Sequence, residues 1–280
     1  MSAFLDALLA HGFLQNALLG GVLAAVACGI VGAYVVVKRI GYLAGGIAHA
    51  VLGGMGIAYF LGYSPLAGAL AAALLFAVII GWVSLHLEQH EETVIGALWA
   101  VGMALGILFI SRTPGYNVDL MSYLFGSILM IPRQDLYVMA GLDALIAAVA
   151  LLFHKQLLAV AFDEQFARLR GVPVGPVYVL LLCLVALTVV VLIRVVGLIL
   201  VIALLTLPAA IARQYVHSLA RMMLLAAVLG MVFTTVGLAA SYQPDLPAGA
   251  TTILIAGAAY LISLLVTSLA RARRPARGMR

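Results

Sequence analysis

Residues 177–193 read VYVLLLCLVALTVVVLI, and residues 195–212 follow as VVGLILVIALLTLPAAIA. The first stretch holds no charge and two hydroxyls, Tyr178 and Thr188, and only Arg194 separates it from the second. A helix needs about 20 apolar residues to cross a bilayer, so each stretch approaches one span. Strands of a transmembrane barrel would alternate apolar and polar residues with period two. These runs are continuous instead, which points to helices.

The same pattern recurs along the chain. Apolar runs occupy residues 16–37, 43–61, 65–85, 94–111, 136–154, 177–193, 195–212, 222–241 and 250–269. The expectation is an all-α polytopic membrane bundle of eight or nine spans, the lower count applying if the glycine-rich second run or the seventh run is broken. Composition agrees: 66% of the 280 residues are hydrophobic and 9% are charged, against roughly 25% charged in soluble domains. A soluble enzyme, a disordered chain and a nucleic-acid binder are excluded. Residues 1–280 read as one integral domain. The N-terminal stretch carries Asp6 and no Lys or Arg before Lys38, which is not the charge pattern of a cleaved signal peptide.

Basic residues orient the spans. With nine spans and a cytoplasmic C-terminus, Lys38, Arg39, Lys155, Arg168, Arg170, Arg213, Arg221 and the five arginines of the tail at 271–280 lie inside. Arg112, Arg133 and Arg194 lie outside, and this asymmetry follows the positive-inside rule. The tail reads as a contact with anionic lipid. Gly21, Ala25, Gly29 and Ala33 recur every four positions in the first run, the spacing that lets helices pack closely. Gly53, Gly54 and Gly56 are expected to loosen the second run, and Pro208 to kink or break the seventh.

Between the fifth and sixth runs lies LLAVAFDEQFARLRGVPVGP, residues 157–176. Phe162, Phe166 and Leu169 fall on one helical face, with Glu164, Arg168 and Arg170 off it. Asp163 suits an N-terminal cap, and Gly171 before Pro173 suits a stop. A short cytoplasmic amphipathic helix is therefore expected within about 162–175. It serves either as an interfacial connector or as a docking helix for a soluble partner.

This segment resembles the coupling segment of ABC-3 type permeases, the membrane subunits of metal-importing ATP-binding-cassette systems. IAHAVLGGMG at 47–56, DLMSYLFGSIL at 119–129, VVGLILVIALLTLPAAIAR at 195–213 and DLPAGATTILIAG at 245–257 are similar to that family and stand in its order. The resemblance implies a homodimeric permease in a bacterial or archaeal cell membrane, with two cytoplasmic ATPase subunits and an extracytoplasmic metal-binding protein. It implies metal import, with Zn2+ first and Mn2+ or Fe2+ next as cargo, no resident cofactor, and ATPase coupling through Asp163, Glu164, Phe166, Arg168 and Gly171. Lys38 and Lys155 are the only lysines and neither follows glycine, so the phosphate loop of an ATPase is absent. ATP would be bound by a partner chain.

Candidate path residues are few. His49 lies inside the second run, where an ionisable group is costly unless it meets a cavity or a partner. Gly45 and Gly53 flank it on the same face. It belongs either to a metal path, where imidazole suits zinc and several other transition metals, or to a hydrogen bond across a tight interface. Many members of the family carry an acidic residue four positions before this histidine, where this chain has Gly45. Asp143 lies inside the fifth run and is a second candidate. Asp119 and Asp245 begin outer loops and could receive metal, or simply be solvated. His86 and His90 in HLEQHEET have chelating i, i+4 spacing but no convergent third ligand. No enzyme constellation is present. The rival function is an ion-coupled secondary transporter of a small molecule, using His49 and Asp143 to handle protons.

Overall fold

The computed structural model describes residues 2–87, 91–113 and 128–272. Twelve α-helices and one 3-10 turn make up its regular structure. They are α1 (Ser2–Ala10), α2 (Gly12–Lys38), α3 (Gly41–Phe60), α4 (Pro65–His86), α5 (Glu91–Arg112), the turn at Ile128–Met130, α6 (Arg133–Leu152), α7 (His154–Phe162), α8 (Glu164–Leu169), α9 (Val174–Val196), α10 (Leu198–Tyr215), α11 (Leu219–Tyr242) and α12 (Ala248–Ala272). Eight of these are long and apolar enough to cross a membrane; in α10 the apolar stretch is the shorter Val201–Tyr215. The described residues are thus an all-helical membrane bundle.

Hydrogen bonds and ring contacts sort the helix ends into two groups. At one end, Lys38 pairs with Glu164, the Tyr34 hydroxyl lies 3.2 Å from His154 Nδ1, and Arg213 donates to the Val36 carbonyl at 3.0 Å. At the other, Asn16 donates to the Ile131 carbonyl at 3.2 Å and the rings of Phe4 and Tyr242 meet at 5.9 Å. Helix α9 has 23 residues, a length of about 34 Å. It leaves the first end and stops at Gly197. The 18 residues of α10, about 27 Å long, return to Arg213. Short as it is, α10 runs from the second end back to the first.

Breaks fall in other places than the sequence suggests. Helix α10 continues through Pro208, and the interruption sits at Gly197, where φ is 74°, a value that glycine adopts without strain. Helix α3 is unbroken. Its glycines serve close approach: a Cβ at Gly53 would stand 2.8 Å from the Gly102 carbonyl oxygen, and one at Gly56 would stand 2.6 Å from that of Gly106. A missing side chain gives looseness when nothing approaches it and tight packing when a backbone does, and here α5 approaches.

Helices α2, α3 and α9 form the middle, with 67%, 78% and 78% of their spans buried, while α5, α6 and α12 form the rim at 22%, 22% and 11%. The small-residue stripe of α2 packs within the chain. A Cβ at Gly29 would meet Ala227 Cβ at 2.5 Å, and one at Gly230 would meet Ala25 Cβ at 3.0 Å. Helices α2 and α11 are keyed together along that line. The exposed aliphatic residues of the rim need no partner in hydrocarbon, where apolar side chains face lipid at no cost.

Candidate translocation site and coupling segment

His49 sits midway along α3 and is 9% exposed. It does not look into an open glycine-lined channel. On one side Gly53 is closed by the Gly102 carbonyl. On the other, a Cβ at Gly45 would stand 2.8 Å from Ile202 Cδ1 and 3.8 Å from Trp99 Cζ3. The indole of Trp99 lies flat against the imidazole, with ring centroids 4.2 Å apart and planes 8° from parallel. Nδ1 of His49 is buried and has no hydrogen-bond partner. A hydrogen bond across the interface is therefore not what holds Nδ1. An imidazole nitrogen free of protein partners can accept a metal ion or a proton.

Sequence reading missed Trp99. It sits 50 residues from His49, in VIGALWAVGMALG, where Ile95, Trp99, Gly102 and Gly106 repeat at helical spacing. That stripe is the face α5 turns to α3: a Cβ at Gly46 would meet Ile95 Cγ2 at 2.6 Å, and one at Gly106 would meet the Leu52 carbonyl oxygen at 2.6 Å. The signal was a row of small residues interrupted by one large aromatic ring, readable only once the partner helix was known.

Asp143 is 6% exposed and stands near the middle of α6, away from either end. It belongs to a buried stripe with Met139, Ile146 and Ala150, on a helix that packs against α2 and α9. Neither carboxyl oxygen has a hydrogen-bond partner. Cys28 of α2 lies within electrostatic reach of it. His49 belongs to a different neighbourhood, since α3 packs chiefly on α4 and α5. Asp245 is exposed, in the turn between α11 and α12, with φ of 55°, a conformation Asp tolerates better than most residues. Asp119 lies outside the described residues, as does His90. His86 is held by its own helix, with Nδ1 2.9 Å from the Trp82 carbonyl oxygen. Among the described residues, no group of three or more His, Cys, Asp or Glu side chains could hold a metal ion.

The coupling segment holds the short helix expected between Asp163 and Gly171, and a separate helix ends just before it. Helix α7 ends at Phe162 and α8 starts at Glu164, because Asp163 between them is extended, with φ −153° and ψ 104°. Its carboxylate caps α8, accepting from Phe166 N at 2.9 Å, the cap expected from the sequence. Gly171, with φ of 75°, and the bond from Val172 N to the Ala167 carbonyl at 3.0 Å close the turn. Spacing of four and three residues made Phe162, Phe166 and Leu169 look like one face. All three are exposed, at 64%, 50% and 86%, while Ala167 is fully buried. Arg170 lies over the Phe166 ring at 5.2 Å. Glu164 turns inward to Lys38, and Arg168 joins Lys38, Arg39 and Glu164 in lining a cleft of about 360 Å³.

Known proteins resemble this chain over nearly its whole length. An uncharacterized membrane protein of Synechocystis is 49% identical over 256 residues, 91% of each chain. The manganese transport system membrane protein MntC of Halalkalibacterium halodurans is 34% identical, covering 94% of this chain and 90% of its own. Among solved structures, PsaBC from Streptococcus pneumoniae in complex with Fab superposes with a TM-score of 0.85 at 34% identity, covering 94% of both chains. The family model of the ABC 3 transport family matches residues 10–267, a span that runs from the start of α2 to the last turns of α12 and takes in His49, Asp143 and the capped coupling segment, so the chain belongs to that family.

Proposed function

We propose that the chain is the membrane-spanning permease of an ATP-binding-cassette importer for a divalent transition metal ion. The observation that carries the reading is His49 in the middle of a span, its Nδ1 buried and unpartnered and its ring stacked flat on the indole of Trp99. An ionisable group at such depth is a candidate path residue. Two copies of the chain form the permease, with two ATPase subunits at the end that holds Lys38, Arg168, Arg170, Arg213 and Arg221. That end is cytoplasmic by the positive-inside rule, which also places the C-terminus inside. Asp245 and the opposite end face an extracytoplasmic metal-binding protein. The exposed Phe166 and Leu169 are the apolar contact for the ATPase.

Transport follows from moving these parts against each other. ATP-driven closure of the partner subunits shifts α7 and α8, and the Lys38–Glu164 pair carries that shift to the end of α2. Three residues later α3 begins and leads to His49. A neutral imidazole suits zinc, and manganese prefers oxygen donors. The name of the Halalkalibacterium relative argues for manganese, which therefore stands beside zinc as the cargo to test first. A proton-coupled carrier using His49 and Asp143 together is disfavoured, because the two lie in different helix groups.

The test is Mn2+ and Zn2+ uptake in cells that express the chain with and without its ATPase and binding protein. Uptake should require both partners, survive a protonophore, and fall about tenfold or more in His49→Ala, the size of loss seen when a metal site loses a key group. Uptake that ignores the ATPase and collapses with the proton gradient would replace the importer by the secondary carrier.

A further inference from the structure

We infer that Trp99 is the positioning residue of His49, fixing the plane of the imidazole and so the direction in which its nitrogens face a passing cation. The inference rests on the reading of His49 as a path residue. Metal-binding histidines are usually oriented by a hydrogen bond from the second ring nitrogen to a carboxylate, carbonyl or water. Nδ1 of His49 makes none. The contact that defines its ring is the indole, flat against it at 4.2 Å and 8°. Imidazole nitrogens bind metal in the ring plane. A stacked ring covers the face and leaves that plane open, so it orients the ligand without occupying it.

The indole is itself held. Trp99 Nε1 donates to Met103 Sδ at 3.2 Å, one turn further along α5. Its Cζ3 edge passes 3.8 Å from the place a Cβ at residue 45 would take, with Ile202 Cδ1 at 2.8 Å from the same point. Gly45 on α3, Trp99 on α5 and Ile202 on α10 thus meet beside His49. The bare Gly45 leaves room for Ile202, and a Cβ there would be in ordinary contact with the indole. Trp99 is 37% exposed, so its ring lies at the edge of the bundle with one side against His49. A shift of α5 or α10 during the transport cycle would alter the stack, and with it the aim of His49. Cation affinity is thereby tied to conformation.

The experiment compares Trp99→Phe and Trp99→Leu in the complete transporter, with His49→Ala beside them. Leucine fills space without a flat face, whereas phenylalanine restores the face. Trp99→Leu should raise the KM for metal about tenfold with kcat changed much less, and Trp99→Phe should stay within about twofold of the parent, because a lost orienting contact costs a ligand about 10–100-fold. Equal KM values for the leucine and phenylalanine variants would overturn the inference. A second measurement leaves Trp99 in place. The chain has two tryptophans, Trp82 and Trp99, so Trp82→Phe makes Trp99 the single indole reporter. Co2+ should then quench its emission saturably in the purified permease, and His49→Ala should abolish the saturable phase. No saturable quenching would overturn the inference even if Trp99→Leu failed to insert. Should His49→Ala retain full uptake, the path reading falls. Should His49→Ala lose uptake while Trp99→Leu matches the parent, only the role of Trp99 falls.

Discussion

Helices α5 and α6 each bury 22% of their spans, and they use that narrow contact in different ways. Helix α5 presents glycines. Gly102 and Gly106 let its backbone touch the backbone of α3, and Trp99 fills the one wide place, against His49. Helix α6 presents side chains, Met139, Asp143, Ile146 and Ala150, toward α2 and α9. Both bring a buried polar group without a hydrogen bond into play. On the α5 side, that group has an aromatic ring stacked against it. On the α6 side, the group stands in a packed stripe with no ring against it and both carboxyl oxygens unpartnered. The difference teaches that polarity and burial alone do not mark a path, and that a group set against the polar residue is what tells the two sites apart.

The largest effect should come from closing the glycine contact. A Cβ at Gly102 would stand 2.5 Å from Ala50 Cα, backbone that cannot rotate away. Gly102→Val should cost about 3 kcal/mol, the upper end of ordinary overpacking, and lower the thermal midpoint of the detergent-solubilised protein. Gly141 on α6 has nothing within 4 Å of its would-be Cβ. Gly141→Val should leave the midpoint near that of the parent, within the ±0.5 kcal/mol usual for positions free of contacts. Similar melting of the two variants would erase the contrast between the helices.

Much of this was legible in the sequence, and the parts that were not have a common cause. Continuous apolar runs give the spans, because bilayer thickness fixes their length. Asp163 and Gly171 announce the ends of α8, because caps and stops are local chemistry. The i, i+4, i+7 spacing of Phe162, Phe166 and Leu169 suggests one face, although the cap at Asp163 leaves Phe162 on α7 and the other two on α8. Gly53 and Gly56 were read as looseness, since a glycine alone does not say whether a backbone lies opposite. Trp99 was invisible for the same reason: its meaning lies in His49, Gly45 and Ile202, all on other helices. The pairing of Glu164 with Lys38, 126 positions away, is equally out of reach of local spacing.

Replacing Asp143 tests the other half of the contrast. An unsatisfied buried polar group costs about 1–3 kcal/mol, and an apolar group of similar shape removes that cost. Asp143→Leu should therefore raise stability by about 1–2 kcal/mol and keep metal uptake near the parent level. A folded Asp143→Leu variant that no longer transports would move the path toward α6 and break the comparison with His49.

The smallest change in stability, and the most telling in function, should follow Glu164→Gln. Lys38 and Glu164 are partly exposed, at 19% and 33%, and an ion pair of that kind contributes about 0–1 kcal/mol. Its removal should barely alter the thermal midpoint, and added salt should reproduce part of the effect by screening. The pair nevertheless links α8 to the last residue of α2, just before the helix that carries His49. With that link cut, the ATPase should still bind through Phe166 and Leu169 and still hydrolyse ATP, while less metal enters per ATP consumed. Uptake and hydrolysis measured together in proteoliposomes decide the matter. A parent-like ratio would mean that motion reaches α3 by another route, through α9 or α10, and that the coupling segment and the His49 region are joined only by packing.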